Sequence, residues 1–256
     1  MKKLTCALLM SIFIMTPALP FASAAESGGP EMTAEVSTAV KIDPAKASGL
    51  EFKTATHADK LIKINYPQIS GMDDAAKMSK INNLIKEHAL AIKSPFAEEL
   101  KDVEMEGNFT VEYNGSNIFS VKYSVFANVK NAAHPVDIIC AANIDLNAVK
   151  MLKLSDAVTV DETLVEKFLK GEYVPRGEDL DLRAAGALND IIAGFDKKEL
   201  LNRFKDPAAA FYFTKDSLVI SAEVIHAAGD HAEFAIAYGG LGDALLFKPE
   251  GFSKIK

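Results

Sequence analysis

Between Phe109 and Val125 apolar and polar residues alternate twice, once on either side of Asn114-Gly115. Phe109, Val111 and Tyr113 lead in, and Phe119, Val121, Tyr123 and Val125 lead out. A period of two turns one face of each segment inward, and Asn-Gly accepts the positive φ of a tight hairpin turn. The segment predicts a β-hairpin, so an antiparallel sheet must be built around it. A third strand over about 136–145, holding Val136-Asp137-Ile138-Ile139-Cys140-Ala141, is placed to pair with it.

The flanking segments keep a different rhythm. Leu61, Ile62 and Ile64 lead to Tyr66-Pro67, where the proline is expected to close a strand. Met78, Ile81, Leu84, Ile85, Ala89 and Ile92 recur at helical spacing, which predicts a helix over 73–93, capped by Asp73 or Asp74 and ended by Ser94-Pro95. Three shorter helices are predicted downstream. The first carries Leu164, Val165 and Phe168 between Asp161 and Gly171, and the second carries Leu182, Ala185, Leu188 and Ile192 before Gly194. The third opens on Asp196 with Glu199 at capping-box spacing and ends at Pro207. A second hairpin, Phe211–Thr214 and Leu218–Val224, turns at Lys215-Asp216, and Phe234, Ile236 and Tyr238 predict a last strand. Gly239–Gly242 reads as a loop. With no βαβ rhythm, the class is α+β: antiparallel sheets with packed helices.

The N-terminus has another purpose. Lys2 and Lys3 precede a 12-residue apolar run, Leu4–Met15, and Ala22-Ser23-Ala24 follows Pro17 and Pro20. This is the order of a secretory signal peptide, too short for a membrane span. Residues 1–24 are therefore read as a signal peptide cleaved after Ala24, with no stable membrane anchor and a periplasmic or secreted product. Residues 25–57, rich in small and polar side chains, read as a flexible lead-in. Cleavage leaves 26 basic against 35 acidic residues, a net charge of −9. An acidic chain without a basic stripe argues against nucleic acid as a partner. Cys140 remains without a cysteine partner, so no intramolecular disulfide is possible.

Catalytic motifs are missing. There is no G-x-S-x-G elbow, H-E-x-x-H, P-loop or strand-linked G-x-G-x-x-G. His226 and His231 bracket Gly229 and Asp230, with Glu233 beyond, and zinc uses such ligand types. Their spacing is not helical, and Gly229 predicts a bend that exposes them, so they read as solvated loop histidines. Among 35 acids, carboxylate pairs of the kind a glycosidase uses are unavoidable on paper and carry no information. No catalytic residue, metal or cofactor is assigned.

Two stretches resemble known domains. Tyr66-Pro67-Gln68-Ile69-Ser70-Gly71, followed by a helix containing Ile81-Asn82, resembles the opening of the PdaC-like domain found ahead of peptidoglycan deacetylase modules. Ala133-His134-Pro135, Asn143-Ile144-Asp145-Leu146 and Leu152-Lys153-Leu154-Ser155-Asp156 fit the same plan. Phe211-Tyr212-Phe213, Leu218-Val219-Ile220 and the bend Ile225-His226-Ala227-Ala228-Gly229 resemble the RsiV-like C-terminal domain. The resemblance covers roughly 58–248 and divides the chain into a PdaC-like part, 58–146, and an RsiV-like part, 147–256. It implies an extracytoplasmic binding or sensing module, since some members bind lysozyme and others accompany peptidoglycan-modifying enzymes. Neither transmembrane signalling nor deacetylation is carried over, because this sequence shows no membrane helix and no room for a deacetylase domain. The expectation is an exported, non-catalytic binding protein for a lysozyme-like protein or a peptidoglycan fragment. His134, His226 and His231 are its candidate surface contacts. A hydrolase with unrecognised acid and base residues, and an immunity or inhibitor protein for a wall-degrading enzyme, are the alternatives; oligomeric state is left open.

Overall fold

The computed structural model describes residues 50–176 and 180–250. The signal-peptide reading, and the lead-in up to residue 49, lie outside them. The described chain forms an α+β fold with two sheets. The larger has six strands in sequential order: β1 (Glu51–Asp59), β2 (Ile62–Ser70), β3 (Val103–Asn114), β4 (Ile118–Val129), β5 (Val136–Asp145) and β6 (Lys150–Met151). The smaller contains β7 (Glu172–Val174), β8 (Phe211–Phe213), β9 (Ser217–Glu223) and β10 (His231–Ala237), in the order β7-β10-β9-β8.

The β3–β4 hairpin and β5 lie where alternation puts them, and Phe119, Val121, Tyr123 and Val125 are all buried. They pack with Ile62, Ile64 and Tyr66 of β2 and with the helix α1 (Ala75–Ala91). Asp74 caps that helix by accepting from the Lys77 amide at 2.9 Å, and Ile81, Ile85 and Ala89 form its buried stripe. A second core collects under the smaller sheet. There Phe168 of α3 (Glu162–Leu169) and Phe204 of α5 (Lys197–Lys205) meet Phe234 of β10. Between them lies α4 (Leu188–Gly194), and a short α2 (Leu154–Ala157) precedes α3. Asp161 and Asp196 cap α3 and α5 as predicted. Gly171 is required after α3, because a Cβ there would stand 2.9 Å from the Ala235 carbonyl oxygen.

Several expectations are corrected. Glu51–His57, assigned to the lead-in, belong to β1, which pairs with β2 over its whole length. Pro67 does not close β2. The pairing of β2 with β3 is parallel and covers only Ile62–Ile64, so beyond it one side of β2 has no strand neighbour, and an edge stretch tolerates proline. Asn82 of α1 serves that open side instead: it accepts from the Ile69 amide at 2.8 Å and donates to the Ile69 carbonyl at 3.0 Å. The helix predicted from Leu182 begins only at Leu188. Tyr238 leaves the last strand and opens α6 (Tyr238–Leu241), a helical turn where a loop was expected. The division at 146/147 also shifts, since β6 completes the larger sheet.

The two sheets are stitched by buried polar groups. Ser120 of β4 donates to Asn143 of β5 at 2.6 Å and accepts from the Phe213 amide at 3.0 Å, while Asn143 donates to the Phe211 carbonyl at 2.6 Å. Each such bond contributes about 1 kcal/mol, and an orphaned partner costs about 1–3 kcal/mol.

Candidate functional site

The β9–β10 connection is a compact bend. The Val224 amide donates to the Asp230 carbonyl at 2.8 Å, His226–Ala228 make one 3₁₀ turn, and Gly229 and Asp230 follow with φ of 88° and 65°. Both lie in the left-handed region, which glycine adopts freely and aspartate more readily than most residues. Asp230 then uses its carboxylate in two directions. Oδ2 accepts from the Asp137 amide at 2.8 Å, linking the bend to β5, and Oδ1 lies 3.0 Å from His226 Nδ1. Arg176 closes the other side, donating to the Gly229 carbonyl and standing 3.6 Å from the Asp137 carboxylate.

This frame presents rings and an aliphatic side chain to solvent. His134, in the β4–β5 connection, stacks on His226 with centroids 3.8 Å apart and planes 10° from parallel. Two of the three predicted contact histidines are thus brought together from distant segments. Ile225 beside them is 69 % exposed, and Leu180, which approaches Gly229, is 38 % exposed. His231 departs from the expectation of a solvated loop residue. It opens β10, is buried, and its Nδ1 lies 3.2 Å from Ser221 Oγ. Desolvation pushes its pKa down to about 4, so it is neutral at physiological pH. Among the described residues no group of three or more His, Cys, Asp and Glu is arranged to hold a metal ion.

A second polar cluster escaped the sequence reading. Lys122 of β4 lies 3.3 Å from Glu233 Oε2 of β10 and 3.4 Å from Glu112 Oε1 of β3. Tyr212 of β8 donates to Glu233 Oε2 at 3.1 Å, and its ring centroid lies 5.0 Å from the Lys122 ammonium. Glu233 is fully buried, and its Oε1 has no hydrogen-bond partner among the described residues. Glu112 is the extra residue of a β-bulge between Val111 and Tyr113, a device that re-aims a side chain. Burial raises its carboxyl pKa above the usual range; Lys122 opposes that shift and Glu233 adds to it. Alternation alone places Glu112 and Lys122 on a solvent face, but at this end the smaller sheet covers that face.

No protein-family model matches the sequence, and no curated protein does. The solved structures similar to this chain include two DUF3298 proteins. A member of the DUF3298 family from Bacteroides fragilis matches with a TM-score of 0.48 and 17 % identity, over 78 % of this chain and 95 % of that one. A DUF3298 family protein from Pseudomonas aeruginosa matches with a TM-score of 0.43 and 14 % identity, over 76 % of this chain and 93 % of that one. Among the described residues no helix is long and apolar enough to cross a membrane.

Proposed function

We propose that this chain is an exported, non-catalytic binding protein for a cell-envelope ligand, and that the β9–β10 bend with His134 is its contact surface. The observation that carries the reading is the pairing of exposure with rigidity. Ile225 and the His134–His226 stack are solvent-facing, yet Ile225 and His226 sit on a bend held by Asp230 and Arg176. Exposed apolar and aromatic groups that are already ordered bind at low entropic cost, and such groups dominate interface energies. A basic, lysozyme-like protein is the favoured ligand, since a net charge of −9 after residue 24 would steer it in. A peptidoglycan fragment is the second candidate.

A hydrolytic reading would rest on Glu112 and Glu233. It fits less well, because Glu233 has no exposed surface with which to meet a substrate. Calorimetric titration with a basic lysozyme and with soluble peptidoglycan fragments, at low and at physiological salt, tests the proposal. Binding of either that persists at physiological salt supports it. Binding that vanishes with salt is charge attraction alone and contradicts it.

A further inference from the structure

The cluster of Lys122, Glu112, Glu233 and Tyr212 plays no part in the binding surface, and its geometry goes beyond an ion pair. One carboxylate oxygen of Glu233 is held by the Tyr212 hydroxyl at 3.1 Å, while the other is bare and sealed from water. The Lys122 ammonium stands 3.3 Å from the held oxygen, and the bulge in β3 turns a second carboxylate, Glu112, onto the same ammonium at 3.4 Å. An amine, a carboxyl group with an oxyanion donor on one oxygen, and a neighbouring proton carrier are the parts of an acyl substitution. We propose that Lys122 and Glu233 condense into an intramolecular isopeptide bond between the two sheets, with Glu112 carrying the protons.

The step balances within the cluster. Lys122 Nζ passes a proton to Glu112, and the freed lone pair attacks Glu233 Cδ. Glu112 delivers that proton, and then a second one from Nζ, to the bare Oε1. Oε1 leaves as water with the electron pair of its bond to carbon, and Oε2 remains as the amide oxygen, still accepting from Tyr212. One N–C bond forms, one C–O bond breaks, and one water is released; no oxidant, reductant or cofactor is consumed. Two opposite charges become one neutral amide, which removes the desolvation cost of the fully buried Glu233 carboxylate. Burial raises the proton affinity of the Glu112 carboxylate, which helps it take the proton from Lys122 before handing it on. The bond would join β4 to β10 across 111 residues in a chain with a single cysteine after residue 24.

Intact-mass measurement under denaturing conditions, with peptide mapping of the full chain, tests this independently of any ligand. The expected result is a mass one water below that of the sequence, and a branched peptide joining the segments that hold Lys122 and Glu233. Glu233→Gln is expected to lose ammonia in place of water, and Lys122→Arg to keep its full mass. Glu112→Gln is expected to accumulate the open form. A wild-type chain at full mass after prolonged incubation overturns the proposal, as does a water deficit that persists in Lys122→Arg. The branched peptide is read in the wild-type chain, so the result does not depend on how well any variant folds.

Discussion

Asp230 and Glu233 lie three residues apart at the start of β10, and both reach across to the six-stranded sheet, yet they join it in opposite ways. Asp230 accepts from the β5 backbone and leaves His226 and His134 facing solvent. Glu233 meets Lys122 in a sealed site where one of its oxygens has no partner. The same side-chain chemistry thus holds an exposed bend in one place and anchors a fully buried carboxylate in the other. What decides is coverage: the bend overhangs the end of β5, whereas Glu233 and Tyr212 close over β3 and β4.

Breaking the buried joint should have the largest effect. Lys122→Met leaves the buried Glu233 and the half-buried Glu112 carboxylates without a cation and should cost about 3 kcal/mol in urea unfolding. Acid is expected to act next. His88 of α1, whose Nε2 is sealed without a partner among the described residues, has its pKa lowered by burial to about 4, as does His231. A base with a depressed folded pKa is protonated more readily in the unfolded chain, so stability falls as pH drops from about 6.5 towards 4. Each histidine should withdraw about 3 kcal/mol over that window. Glu112 works the other way, its raised carboxyl returning some stability in acid. Urea midpoints at pH 7 and pH 4 measure the sum, and His88→Leu should flatten the decline.

The exposed joint should respond more weakly. Asp230→Ala removes the acceptor for the Asp137 amide and puts alanine at a φ of 65°, for a loss of about 2–3 kcal/mol and weaker ligand binding. Ile225→Asp should change stability by less than about 0.5 kcal/mol while reducing binding at least about tenfold. That separation of stability from affinity is the sharpest form of the contrast between the joints.

Local signals were legible in the sequence. Asp74, Asp161 and Asp196 cap the helices they were expected to cap, and the second hairpin turns at its predicted Lys215-Asp216. The first does not turn at Asn114-Gly115: Asn114 stays in β3, paired with Phe119, and the connection runs over 115–117 without the positive φ expected there. Features that depend on distant partners were not. β1 is mostly exposed, so no apolar alternation marks it; it is a strand because β2 offers an edge to pair with. Pro67 reads as a terminator until Asn82 is seen serving the open side of β2. Glu112 and Lys122 occupy outward positions of a hairpin that the smaller sheet then covers. His226 was expected to face solvent and does, but its stack with His134 joins segments about 90 residues apart, a distance that no sequence period reports. His231, read as its solvated companion, is buried because β10 starts there.

Hydrogen exchange of the full chain with and without a saturating basic lysozyme tests the binding surface most directly. The account predicts new protection at Val224–Asp230 and in the β4–β5 connection around His134, with β3 and α1 unchanged. Protection centred on β3 or α1, with the bend unaffected, would contradict it.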